Sequence, residues 1–144
     1  MTSSTAPKTI ILKGEYVGYE AIMADSAALQ PGMLAEIAST GKIQKQSSAD
    51  VFVENLFVLE NELIGEGIDD LYANGETVPY AICQSGTEVY ALLAANIALS
   101  IGAVLQSNGS GGTLKAVASG KGIAVALEAI SSVAAVQRVK VRII

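Results

Sequence analysis

The run Val136-Gln137-Arg138-Val139-Lys140-Val141-Arg142-Ile143 alternates apolar with polar or charged residues almost throughout. Successive side chains of a strand point to opposite faces, so such alternation marks a strand with one buried and one exposed face. It is the best-formed strand in the chain. Val136, Val139, Val141 and Ile143 are expected inside, with Arg138, Lys140 and Arg142 facing water or a neighbour. Burying one such valine is worth about 1.5–3 kcal/mol, enough to hold the register.

Working outward, the rest of the chain also reads as β. Pro31-Gly32 is a type II turn signal, because Pro presets the first φ and Gly accepts a positive second one. A strand should follow, with a reversal at Thr40-Gly41 and a return over Lys42-Ile43-Gln44-Lys45. Seventy residues on, Ala-Leu-x-x-Gly recurs and leads to a second hairpin around Asn108-Gly109-Ser110-Gly111-Gly112. Thr77–Cys83 reads as a strand that tolerates Pro79 only at an edge or near its start. Ser85-Gly86 should turn it back into a strand over 88–94. Residues 51–60 suit helix or strand, and strand is favoured over 56–60. Residues 14–19 suggest a loop or irregular edge, and 65–75 an acidic loop with a helical turn over 69–73. In 121–135 a strand over 122–128 is preferred to a helix. The expected fold is mainly β: a small single-domain β-barrel or β-sandwich of short antiparallel strands and hairpins, with at most one or two short helices.

Composition agrees. The chain has 144 residues, one domain's worth. About half are apolar, yet there are only five Tyr, two Phe and no Trp, so the core must be built from Ala, Val, Leu and Ile in thin layers. No run approaches the roughly 20 apolar residues of a membrane helix. The polar opening Met1-Thr2-Ser3-Ser4-Thr5-Ala6-Pro7-Lys8 does not read as a secretory signal. A lone Cys83 excludes an internal disulfide and suits folding in a reducing cytoplasm.

Charge is segregated within the net −5: residues 46–114 carry nine acids and no base, and residues 115–144 carry five bases against Glu128 alone. So acidic a middle argues against nucleic-acid binding. The blocks can pair within one subunit or between neighbours.

Catalytic signatures are missing from the sequence. With no His, the commonest general base and metal ligand are both absent. Cys83, in an apolar strand, reads as an inert buried thiol. Glu66, Asp69 and Asp70 lack EF-hand spacing and read as solvated loop acids. Neither 108–112 nor Gly120-Lys121-Gly122 completes a phosphate-binding loop. No catalytic residue, metal or cofactor is expected, and the chain reads as no enzyme.

The segment Gly67-Ile68-Asp69-Asp70-Leu71-Tyr72-Ala73-Asn74-Gly75-Glu76-Thr77-Val78 resembles a group of tailed-phage head proteins. So do Leu59-Glu60-Asn61-Glu62-Leu63, Gly86-Thr87-Glu88-Val89-Tyr90-Ala91-Leu92-Leu93-Ala94 and the closing basic-valine strand. The likeness covers roughly residues 50–144. It implies a capsid decoration (cement) protein, made in the host cytoplasm, that sits on the outside of the head, commonly as a homotrimer, binds the major capsid protein and braces the shell. Within that frame residues 1–13 are expected to form a flexible N-terminal arm ahead of a domain over 14–144. Thr9, Ile10, Ile11, Leu12 and Lys13 would bind the capsid by strand addition. Asp69, Asp70, Arg138, Lys140 and Arg142 are the candidate subunit-interface charges. Two alternatives stand beside this: another virion part, such as a tail or connector subunit, and a small ligand- or glycan-binding β module using Tyr16 and Tyr19.

Overall fold

The computed structural model describes residues 6–23, 28–51 and 53–144; residues 1–5 of the expected arm and Phe52 of the ambiguous 51–60 run lie outside them. In chain order the strands are β1 (Ile11–Lys13), β2 (Tyr16–Ile22), β3 (Ala35–Ile37), β4 (Ile43–Lys45), β5 (Leu56–Val58), β6 (Thr77–Cys83), β7 (Glu88–Leu93), β8 (Val104–Ser107), β9 (Leu114–Ala116), β10 (Ala124–Ala126) and β11 (Gln137–Ile143). Among the described residues the one helical piece is a 3-10 turn at Glu62–Ile64.

β11 organises the larger half. It pairs antiparallel with β7 on one side and β10 on the other, and the order continues through β8 to β9. β9 meets β7 again through the parallel pair Leu93↔Leu114, which closes a five-stranded barrel. Val139, Val141 and Ile143 point inward and are at most 1% exposed, as the alternation requires. They meet Val89, Ala91, Leu93, Leu105, Leu114, Ala124 and Ala126. Alanine at three of these positions lets a narrow barrel fill without aromatic rings. Val136 departs from expectation: it is 52% exposed. It precedes β11 and shares the parity of Arg138, so the pleat turns it outward.

The smaller half holds the sheet β2-β6-β5 and the hairpin β3-β4. Pro31-Gly32 makes the expected turn, with Met33 N–H donating to Gln30 O at 3.1 Å and Gly32 at φ 92°. The second hairpin, β8-β9, also forms where expected. β6 is buried on both faces. Ala81 and Cys83 pack on the barrel-side core, whereas Val78 joins a second cluster with Met23, Leu29, Ile43, Leu56, Val58, Tyr72 and Leu92.

Pro79 sits near the start of β6, as expected, and its neighbours show how a paired strand accepts it. Leu59 N–H donates to Pro79 O at 2.9 Å. The reciprocal bond of such a pair would need a Pro79 N–H, which does not exist. The buried Tyr72 hydroxyl donates to Leu59 O instead, at 2.6 Å.

Three expectations are corrected. β6 and β7 do not form a hairpin with each other. β1 pairs with β7 and β2 with β6, so β1–β2 and β6–β7 are the two sides of one antiparallel ribbon bent at a corner. Gln84 N–H and Thr87 Oγ1 both donate to Glu15 O at that corner, at 3.2 and 2.6 Å. Gly14 permits the bend: its φ is 99°, and a Cβ there would stand 2.7 Å from Thr87 Cα. Residues 16–22 are therefore a full strand at a sheet edge, so of the two readings of 14–19 the edge is met and the loop is not. Finally, the helical turn falls at Glu62–Ile64 rather than over 69–73, where the Asp70 carboxylate takes the Gly67 N–H at 2.7 Å and Tyr72 bridges to Leu29.

Candidate interaction surface

Tracing the sheet edges locates the surface. The barrel closes on itself. The outer side of β5 is taken by residues 32–34: Gly32 N–H donates to Val58 O at 2.8 Å and Val58 N–H to Met33 O at 3.0 Å. The outer side of β4 meets Met23. β2 differs, because apart from the bridge at its end it pairs with β6 alone over seven residues.

Its free edge can be assigned atom by atom. Glu15 O accepts from Gln84 N–H, and Met23 N–H donates to Glu76 O at 3.0 Å. Backbone groups alternate sides along a strand, so Val17, Tyr19 and Ala21 point theirs at β6. Tyr16, Gly18, Glu20 and Ile22 point theirs away; the parallel bridge of Met23 to Ile43 engages the Ile22 carbonyl at the end of the strand, and no described residue bonds to the backbone groups of Tyr16, Gly18 and Glu20. The side chains are as open as the edge. Tyr16 is 44% exposed, Val17 46%, Tyr19 51% and Ile22 51%. Beside this strand lies a groove of about 610 Å³ whose wall includes Tyr16, Glu20, Leu59, Glu62, Leu63 and Pro79. Glu20, Glu60 and Glu62 line it and no Lys or Arg does. Burial, together with Glu54, also raises the Tyr80 hydroxyl pKa above its ordinary value, so a carboxylate sits near the other face of the ribbon too.

The residues singled out in the sequence fall elsewhere. Ile10 is fully buried in the main core, its N–H donating to Glu60 Oε2 at 3.0 Å and its O accepting from Tyr90 N–H at 2.7 Å. Ile11 and Lys13 pair with Val89 and Glu88, Leu12 between them is half-buried, and Thr9 Oγ1 donates to Ile11 O at 3.1 Å. Residues 10–13 thus belong to the domain, and the expected boundary at 13 moves toward the N-terminus. The apolar triplet that suggested an arm is the triplet that the core recruits.

Arg138 and Asp69, expected to meet across subunits, meet within one. Arg138 Nη2 donates to Ile68 O at 2.5 Å and to Asp69 Oδ1 at 3.4 Å, with the guanidinium 5.7 Å from the Tyr90 ring centroid. Only 10% of the Arg138 side chain is exposed, so of the two expected surroundings, water or a neighbour, it does not face water. Asp70 is tied to Gly67, while Arg142 stays exposed and Lys140 half-exposed on the outer face of β11. Tyr16 and Tyr19, the pair considered for a glycan, lie on opposite faces of β2; Tyr19 stacks instead on Tyr80, centroids 5.5 Å apart. The sequence reading of 14–19 allowed an edge, but the exposure of β2 on both faces has no alternation to announce it.

Cys83 is buried, and desolvation pushes its thiol up to about 12, so at neutral pH it carries no thiolate. Among the described residues no helix is long and apolar enough to cross a membrane, and no group of three or more His, Cys, Asp or Glu side chains is placed to hold a metal ion. Comparison with known proteins gives no significant match, either to a family model or to a curated protein.

Proposed function

We propose that this protein is a structural virion component that binds the outside of a tailed-phage head and stabilises the shell, acting as a decoration protein and not as a catalyst. The observation that carries the reading is the pairing of a closed, densely filled barrel with an open apolar edge at β2. A rigid body with a strand edge left open can hold another protein chain, and main-chain pairing supplies affinity without any concave chemistry. The resemblance of residues 50–144 to phage head proteins names the kind of protein held, a major capsid protein. A homotrimer suits a three-fold site on such a shell. With Arg138 and Asp69 joined internally, Lys140 and Arg142 are the bases left to meet a neighbour's acidic middle.

Cosedimentation with heads lacking the protein tests the reading. Saturable binding, with heads that then resist heat better, is the expected result. Absence of any binding to expanded heads would overturn it. Light scattering that gives a strict monomer both free and on the head would remove the trimer.

A further inference from the structure

We infer that the β2 edge and its acidic groove accept an extended, apolar segment of a partner polypeptide that carries Lys or Arg beside its β-forming residues. This rests on the function proposed above only for the donor, which would be a strand of capsid polypeptide. Tyr16, Gly18 and Glu20 turn three N–H and three C=O groups outward, the pattern an added strand pairs with. Alternate side chains of that strand then reach the groove, where Tyr16, Leu59, Leu63 and Pro79 offer apolar wall and Glu20 and Glu62 offer charge. Leu63, at 94% exposure, is the side chain with most to gain from a cover.

Charge decides between two occupants. A second copy could pair its own β2 antiparallel, Gly18 against Glu20. That would bring two chains of net charge −5 together at grooves lined by Glu20, Glu60 and Glu62 with no base among them. Like charges so placed repel, and only a partner that brings cations gains from the same field.

Gly18→Pro isolates the edge. The N–H that it removes points away from β6, and a Cβ at Gly18 meets only the Tyr16 ring, at 3.8 Å, so the β2–β6 ladder keeps its bonds. The probes are two blocked fluorescent peptides, Lys-Val-Thr-Val-Thr-Val-Lys and the same sequence with Glu at both ends, read by anisotropy. Wild-type protein should bind the Lys peptide saturably and the Glu peptide at least about tenfold more weakly at low salt. Gly18→Pro should lose that binding with an unchanged melting temperature, and the double variant Glu20→Lys, Glu62→Lys should reverse the charge preference. Failure of wild type to bind the Lys peptide, or equal binding by Gly18→Pro, overturns the site. A wild-type dimer in sedimentation that Gly18→Pro dissolves assigns the edge to a second copy and overturns it as well. Cosedimentation with heads separates the two readings: peptide binding without head binding removes the proposed function and keeps the site. Head binding that survives in Gly18→Pro keeps the function and removes the capsid strand as donor.

Discussion

β2 and β11 are both seven residues long, and they have opposite fates. β11 is paired along both sides and alternates between a dry interior and an outer face. β2 is paired on one side only, save at its last residue, and four of its apolar residues stay open. Length and β propensity do not separate them. What separates them is whether a neighbour exists on each edge and each face, a property of the whole fold. Natural edge strands usually carry charges, prolines or bulges that repel other strands. β2 carries Glu20 alone, so its openness is the feature that function has to explain.

The largest effect should come from putting a charge inside the barrel. Val141→Asp places an unpaired carboxylate at a position with 0% exposure, a change that should cost more than about 3 kcal/mol and prevent folding near body temperature. Lys140→Gln, one residue away on the other face, should stay within about 0.5 kcal/mol of wild type. Equal thermal midpoints for the two would break the register assigned to β11.

Next comes the partner half of the β2 ribbon. Ile10, just ahead of β1, is fully buried, and Ile10→Ala should cost about 2–5 kcal/mol in denaturant melts. A loss under half of that would return residues 10–13 to the role of a free arm. Smallest of all should be changes on β2 itself. Ile22→Ser and Val17→Ser should each shift stability by no more than about 0.5 kcal/mol, because about half of each side chain already meets water. A loss comparable to that of Ile10→Ala would show that something covers β2 in the free protein.

The same contrast explains what could be read in the sequence. β11 and the two Gly-marked hairpins were legible because alternation and positive φ are local demands that residues announce themselves. The Pro79 expectation held for the same reason. Parity also held the key to Val136, which shares it with Arg138, but a valine's hydrophobicity suggested the wrong face. Arg138 shows the limit from the other side: alternation put it outside the barrel, yet only the fold brings Ile68, Asp69 and Tyr90 over it. The buried state of Ile10 and the open state of β2 depend on which strand arrives beside each, over separations of about seventy residues that no local pattern encodes. The candidate surface was legible only as an irregular edge and two tyrosines.

Residue-resolved amide hydrogen exchange on the free protein tests the central claim most directly, because it reads pairing edge by edge. The amides of residues 139–143 in β11 should all exchange slowly. In β2 the pattern should alternate, with Val17, Tyr19 and Ala21 protected and Tyr16, Gly18, Glu20 and Ile22 exchanging close to the rate of an unstructured chain. Slow exchange at all seven β2 amides would mean that the edge is already occupied, and would contradict the account.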